Sequence, residues 1–345
     1  MAEYTTKEMI EAIEINPPVR KFLTKKFFTI ERTHLTEKVE FDVKKGKRIM
    51  APFVSPRIGG KVITRQGFQT KEFTTPRLAP ERVLTVDDIS KRVLGEDIYS
   101  KRTPSEREDE LLATDYDELD ESIQRRIEWM CRQILFEGKL DIVDEEAGVD
   151  VQVDYGFENI FVLTSDQYWS LSTVNPIPLL KEKRKNIIKE TGRAPDVLIF
   201  ASDLIDAFIE NPYIKSAMNI LNMQNVEIKP HIIDDALTYY GKIAELGMEI
   251  YSYDEFFLND EGDEEGIIPA GACLMAHSEG EGSIEFGLIT QMEDKKFHSY
   301  EAKEVPKIYC DEKSEVKMFR LTSRPLPRPF DVESWCVIYP NGQTA

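Results

Sequence analysis

The side chains best suited to metal binding or nucleophilic chemistry in this 345-residue chain are four histidines and four cysteines. Their spacing supports neither role. Cys131, Cys273, Cys310 and Cys336 form no C-x-x-C pair, so they match neither a zinc ribbon nor a redox motif. They read as reduced thiols. His34, His231, His277 and His298 have no second histidine or cysteine at ligand spacing and read as structural or surface residues. The run Asn259-Asp-Glu-Gly-Asp-Glu-Glu-Gly266 offers the oxygen ligands a hard cation such as calcium takes, but it misses the EF-hand spacing. It reads as the solvated tip of a hairpin. The nucleophile elbow, the phosphate-binding P-loop, the dinucleotide-binding glycine pattern and the zinc-protease helix motif are all absent. Gly280-Glu-Gly282 sits in an acidic loop that repels phosphate. No catalytic residue, metal or cofactor is assigned.

The chemistry that remains is that of charge. The chain carries 44 Lys and Arg against 63 Asp and Glu, a net charge of −19. Tight sequence-independent binding to nucleic acid requires many cations to neutralise phosphates, which this balance opposes. The charge is unevenly placed. Residues 1–80 hold 16 basic and 9 acidic side chains, a net of +7, so residues 81–345 carry −26. A basic front thus joins an acidic body, and the natural partner of the first is the second, on the same chain or a neighbouring one.

The elements that must position these charges follow from length, punctuation and period. At 41% hydrophobic and 31% charged the composition is that of a globular protein, long enough for two or three domains. The first 14 residues are charged, and no apolar run reaches the ~20 residues of a membrane span. The expectation is a soluble chain made in a cytosol, with no membrane partner. Thr5 and Glu8 fit a capping box for a first helix, with Met9, Ile10 and Ile13 on one face and Asn16-Pro17-Pro18 as its stop. A second short helix places Val19, Phe22, Leu23 and Phe27 inward and Arg20, Lys21, Lys25 and Lys26 outward. That basic face is either solvated or an arm that docks on another chain.

Residues 38–43 alternate with period two, as a half-buried strand does. Short strands at 49–54, 62–64 and 71–74 follow, punctuated by Gly and Pro. Few residues of this basic hairpin form an apolar face, so it is expected to lie on something else. The clearest signal is at 104–137. Thr103-Pro-Ser-Glu106 opens a helix, and Leu112, Tyr116, Leu119, Ile123, Ile127, Met130 and Ile134 recur at steps of three and four. Gly138 supplies the stop. Such a helix is ~50 Å long. Nine acids fall between Glu106 and Glu121, which suits the helix dipole and could also meet a basic surface. Beyond it the pattern reads as α/β, with helices at 177–191, 204–210 and 214–223 and strands at 196–200, 245–253 and 267–275. The tail reads as strands at 287–291, 307–310, 316–322 and 335–339, with Pro325, Pro327 and Pro329 marking edges or bends.

Particular residues then carry a resemblance. Tyr4-Thr-Thr6, Phe22-Leu-Thr-Lys-Lys-Phe-Phe28, Thr36-Glu-Lys-Val39 and above all Met50-Ala-Pro-Phe-Val-Ser-Pro56 resemble the lambda-type major capsid proteins of tailed bacteriophages, the major capsid protein E family. Val62-Ile-Thr-Arg65, Glu72-Phe-Thr74 and the stretch 76–80 continue the match, and Val197-Leu-Ile-Phe200, Glu249-Ile-Tyr-Ser252 and Pro269 extend it more weakly. The resemblance implies an α+β, Hong Kong 97-like phage capsid fold. It would comprise an N-terminal arm (1–36), an extended E-loop hairpin (37–82), a P domain (83–173) with a long spine helix (104–137), an A domain (174–290), and a return to the P domain (291–345). No lysine, asparagine and acid trio for covalent crosslinking is recognisable, and the resemblance implies a separate scaffold rather than a scaffolding region fused before the arm.

The function so implied is a virion head protein, not an enzyme. It would be made in the host cytoplasm and would self-assemble as hexamers and pentamers into an icosahedral shell around double-stranded DNA, without binding it tightly. The implied partners are a scaffolding protein, a portal protein and, in shells of this type, a decoration protein. At the subunit interface Arg57, Lys61, Arg65 and Lys71 of the E-loop would lie on Glu106, Glu108, Asp109 and Glu110 of a neighbour's spine helix. Two other classes are weighed against it. One is a cytosolic metal-dependent α/β enzyme using the acids around residues 254–265. The other is a different phage structural part, such as a tail-tube or decoration protein.

Overall fold

A computed structural model describes residues 20–43, 69–91, 102–144, 149–219, 231–234, 236–258, 262–278, 282–293, 295–311, 313 and 315–342. The helix expected near residues 5–13, the strands at 49–54 and 62–64, and Arg57, Lys61 and Arg65 lie outside these residues.

Six helices are described: α1 (Phe22–Phe27), α2 (Val86–Ser90), α3 (Pro104–Glu137), α4 (Pro176–Thr191), α5 (Ser202–Glu210) and α6 (Pro212–Asn219). The 34-residue α3 matches its sequence reading at both ends. Thr103 and Glu106 form the capping box, with Thr103 Oγ1 accepting from Glu106 N at 3.3 Å and Glu106 Oε2 accepting from Thr103 N at 2.7 Å. Gly138 ends the helix at φ 69°, where its N–H reaches the carbonyls of Gln133 and Ile134. A side chain there would also collide with Phe157, since a Cβ on Gly138 would sit 2.2 Å from that residue's Cβ. The predicted apolar stripe is the buried one: Leu119, Ile123, Ile127, Met130 and Ile134 are in the core, and Leu112 and Tyr116 pack against it.

A seven-stranded mixed sheet organises the core. Its strand order is Ile160–Val162, Trp335–Tyr339, Cys273–Ala276, Val197–Phe200, Met248–Tyr253, Leu237–Ile243 and His231–Asp234. Alternation along its central strands divides the core in two. Leu198, Phe200, Cys273, Met275, Cys336 and Ile338 face α4, α5 and α6, where Leu180, Leu204, Phe208 and Ile214 are buried. Val197, Ile199, Leu274 and Val337 face the opposite side, which holds α1 and the buried half of α3. Trp335 ties sheet to helix, its Nε1 donating to the Leu135 carbonyl at 2.9 Å. Both faces of the central strands are therefore covered, which is why they read as continuous apolar runs.

Two three-stranded sheets flank this body. One pairs Ile30–Thr33 in parallel with Gly282–Phe286, whose other edge carries Pro325–Pro329. The three prolines thus lie on an edge strand, as their missing N–H groups require. The other sheet orders Glu304–Asp311, Val316–Ser323 and Glu81–Thr85. The hairpin Lys38–Val43 with Gln69–Thr74 runs in register from Lys38 opposite Thr74 to Val43 opposite Gln69.

Several expectations are corrected. The strand read at 267–275 is confined to Cys273–Ala276, because Pro269 and the left-handed Gly271 (φ 68°) turn the chain first. The strand read from 245 begins at Met248, after the left-handed Gly247. Strands at Leu237–Ile243, Gly282–Phe286 and Lys296–Tyr300 were not expected. The hairpin base is also better anchored than its composition suggests. Val39 is buried, Phe73 lies 6.0 Å from Tyr155 between ring centroids, and Thr75 donates twice to the Glu37 carbonyl.

Candidate functional site

The residues with functional weight lie along α3. Its apolar stripe has a polar companion one residue on: Asp120, Gln124, Glu128 and Cys131, at steps of four, four and three. These share one helix face beside the core. Helix α1 docks on that face. Glu128 is 2% exposed, and its two carboxyl oxygens accept from Leu23 N (2.7 Å), Thr24 N (3.0 Å) and Thr24 Oγ1 (2.7 Å). The N–H groups at the start of α1 have no partner within their own helix, and Glu128 supplies it from α3. Burial pushes the Glu128 pKa up, and the donors from Thr24 and Leu23 pull it back. Leu23 and Phe27 are at most 1% exposed. Residues 22–28 are thus held by this chain's own long helix.

Asp120 and Gln124 meet the far end of the chain. Gln124 Nε2 donates to Asp120 Oδ1 at 2.9 Å and to Glu304 Oε1 at 2.8 Å. Lys21, at the entrance to α1, faces the same two acids. The sequence signal for this site was available, as polar residues at helical spacing beside an apolar stripe. What the sequence did not show was that Lys21 and Glu304 arrive there.

The predicted charges are placed as follows. Lys71 lies on Gln69–Thr74, opposite Phe41. Glu106, Glu108, Asp109 and Glu110 share the first two turns of α3. Glu106 is spent on the capping box, its pKa held low by the Thr103 N–H and hydroxyl. Glu108 pairs with Lys317 and Glu110 with Arg102. Asp109 is exposed and makes no ion pair among the described residues. Further along, Arg82 pairs with Glu118 and Arg125 with Glu121. Much of the acidic ridge is therefore matched by cations of the same chain.

The remaining candidates take structural positions. His34 Nε2 lies 2.6 Å from Glu285 Oε2, a fully buried carboxyl group that also accepts from Ser283 Oγ. His277 Nδ1 lies 2.9 Å from the Ala194 carbonyl. Cys131, Cys273 and Cys336 are buried and Cys310 is exposed. Residues 256–258 and 264–266 pair as a short hairpin, so the end of the run expected as a solvated tip is itself a strand, and residues 259–261 lie outside the described residues. Among the described residues no three His, Cys, Asp or Glu side chains gather as metal ligands, and no helix is long and apolar enough to cross a membrane.

Known proteins resemble this chain in sequence and in fold. The chain is 22% identical to the major capsid protein of Escherichia phage lambda over 296 residues, 84% of each chain. It is 22% identical to that of Escherichia phage N15 over 293 residues, again 84% of each. The crystal structure of a prophage capsid protein from Escherichia coli CFT073 superposes with a TM-score of 0.72 at 15% identity, covering 97% of this chain and 99% of that one. A phage-related protein from Bordetella bronchiseptica RB50 superposes at 0.57 with 12% identity, covering 97% of each. The fold is the mixed α and β fold of phage capsid proteins, of the Hong Kong 97 type. A sequence profile of phage major capsid protein E matches from residue 5 to residue 338, and the chain belongs to that family.

Proposed function

We propose that this chain forms hexamers and pentamers that close into the icosahedral head of a tailed phage around double-stranded DNA. The observation that carries the reading is the family match over residues 5–338. A major capsid protein is a virion component whose role is structural. Ring-forming contacts are heterologous, joining different patches of successive copies, and many modest contacts per subunit add through multivalency.

In this reading residues 1–36 are the arm, 37–82 the E-loop, 83–173 the P domain with spine helix α3, 174–290 the A domain, and 291–345 the return to the P domain. The seven-stranded sheet supports a closely joined body, since it takes Ile160–Val162 and Trp335–Tyr339 alongside strands of the 174–290 stretch. Scaffolding, portal and decoration proteins are the partners. The packaged DNA faces a chain of net charge −19, which disfavours adhesion and leaves the genome able to move.

Arg57, Lys61, Arg65 and Lys71 would meet the start of a neighbour's α3. Because Glu108 and Glu110 are paired within the chain, Asp109 and the still-charged Glu106 carry more of that contact. Exposed pairs contribute about 0–1 kcal/mol each and act mainly on register and encounter rate. Electron microscopy and light scattering of the purified chain, with and without scaffold, test the reading: closed shells are expected. A chain that stays monomeric at all salt concentrations, with scaffold supplied, overturns it. Arg57→Glu with Arg65→Glu should impair shell formation while the monomer stays folded. Normal shells from that variant would refute the electrostatic contact and leave the capsid role intact.

A further inference from the structure

Four parts of the chain converge on two carboxyl groups. Asp120 comes from α3, and Glu304 is the first residue of the strand Glu304–Asp311. They face one another within hydrogen-bonding reach, and Gln124 Nε2 bridges them at 2.9 Å and 2.8 Å. Glu304 is 7% exposed. Tyr116, one turn before Asp120, lies beside Glu304, with Asp117 nearby on the same helix. Lys21 faces the pair from the arm, Glu31 stands behind it on the strand Ile30–Thr33, and Lys303 precedes Glu304 in its own segment. Lys303 also pairs with Glu31, and Thr33 Oγ1 donates to Glu301 at 2.9 Å.

A carboxylate has no proton to donate, so two carboxyl groups bond to each other only while one of them is protonated. Two negative charges at this separation in a buried site cost more than one. We propose that Glu304 keeps a proton and donates it to Asp120, forming a pH-sensitive latch that fastens the arm and the return strand to the long helix. Burial and the Asp120 charge raise Glu304 to about 8, against the pull of Lys21 and Lys303. Lys21 is itself lowered by burial, which limits how far it can answer a second negative charge.

The sign follows by linkage. The folded chain keeps a proton that the unfolded chain gives up near 4.5. The contribution of the latch is complete below that value and is lost as pH rises through about 8. A folded capsid chain thus carries a device that loosens the arm on the alkaline side while the two-faced core of the large sheet stays closed.

Hydrogen exchange of the unassembled full chain tests it, with each rate corrected for the intrinsic effect of pH. Because the readout is on single chains, it stands or falls independently of shell formation. In the wild type, protection of residues 22–28 and 304–308 should fall at least tenfold between pH 6 and pH 9, while residues 197–200 stay constant. In Glu304→Gln the fall should vanish. In Asp120→Asn it should move to lower pH, because the neighbouring charge that raises Glu304 is gone. A flat wild-type profile, or a profile that neither variant changes, overturns the latch. If Glu304→Gln does not fold, the Asp120→Asn displacement decides.

Discussion

Glu128 offers the sharpest test of how the arm is held. Its carboxyl group is the acceptor for two backbone N–H groups at the start of α1, from Leu23 at 2.7 Å and Thr24 at 3.0 Å. Glu128→Ala leaves both donors buried without a partner, at about 1–3 kcal/mol each. Thr24 Oγ1 loses its 2.7 Å bond but keeps Cys131 Sγ at 3.6 Å. Opposing these losses, the variant no longer buries a carboxyl group whose pKa is raised by burial. We expect a net loss of about 3 kcal/mol in arm docking, roughly a hundredfold in its equilibrium, since ~1.4 kcal/mol is tenfold. Glu128→Gln keeps one acceptor oxygen and turns an amide N–H₂ toward the second donor, so it should fall between. Glu128→Leu restores volume but no acceptor and should behave like the alanine variant.

The readout is hydrogen exchange at Phe28. Its N–H donates to the Thr24 carbonyl at 2.9 Å and does not touch Glu128. Its protection should drop roughly a hundredfold in Glu128→Ala if the whole arm lifts away. Protection within twofold of the wild type would refute the reasoning. It would show that Leu23 and Phe27, buried to at most 1% exposure, hold the arm by apolar contact alone.

Further outcomes follow from the same geometry. Gly138→Ala forces a side chain into a left-handed backbone and into Phe157, and a loss of at least about 1–2 kcal/mol should appear as a lower melting temperature. A stability within error of the wild type would mean that α3 can end another way. Phe208→Ala empties the contact with Phe200 and Trp169, whose ring centroids lie 4.5 Å and 5.3 Å away, and should cost about 3–5 kcal/mol in denaturant unfolding. A thiol reagent should label only Cys310 rapidly in the native chain. Cys131 and Cys273 are buried with raised pKa values, and Cys336 is pushed up to about 12. Mass spectrometry showing equal labelling at several sites would contradict the described core. Asp109→Lys should weaken shell formation more than Glu110→Lys does, because Glu110 already has Arg102.

Local signals carried the long helix. Its cap, its stripe of seven apolar residues and its terminal glycine all act within a few residues of one another, so periodicity and punctuation placed both ends. The buried strands Val197–Phe200 and Trp335–Tyr339 were legible for a similar reason, as short apolar runs covered on both faces. Strands such as Leu237–Ile243 and Gly282–Phe286 were missed. The former reads LTYYGKI, with a register shift between Tyr239 and Gly241, which lie opposite Tyr251 and Ile250, and the latter opens on glycine and holds a fully buried Glu285. Neither looks like a strand until its neighbours are in place, because β pairing is non-local and tertiary context overrides propensity.

The sequence by itself determined the charge division, the long helix with its stripe and the family, because these depend on composition, local spacing and short motifs. The motif-bearing residues 50–65 needed no coordinates to be recognised, and they lie outside the described residues. Only the tertiary structure decided which charges are spent. Glu108 is taken by Lys317, 209 residues away, and Glu128 by Leu23 and Thr24 across more than a hundred. It also decided that Lys21, Asp120 and Glu304 meet. A side chain's type fixes which charge it can carry, but its partner, its burial and hence its proton are set by whatever the fold brings beside it.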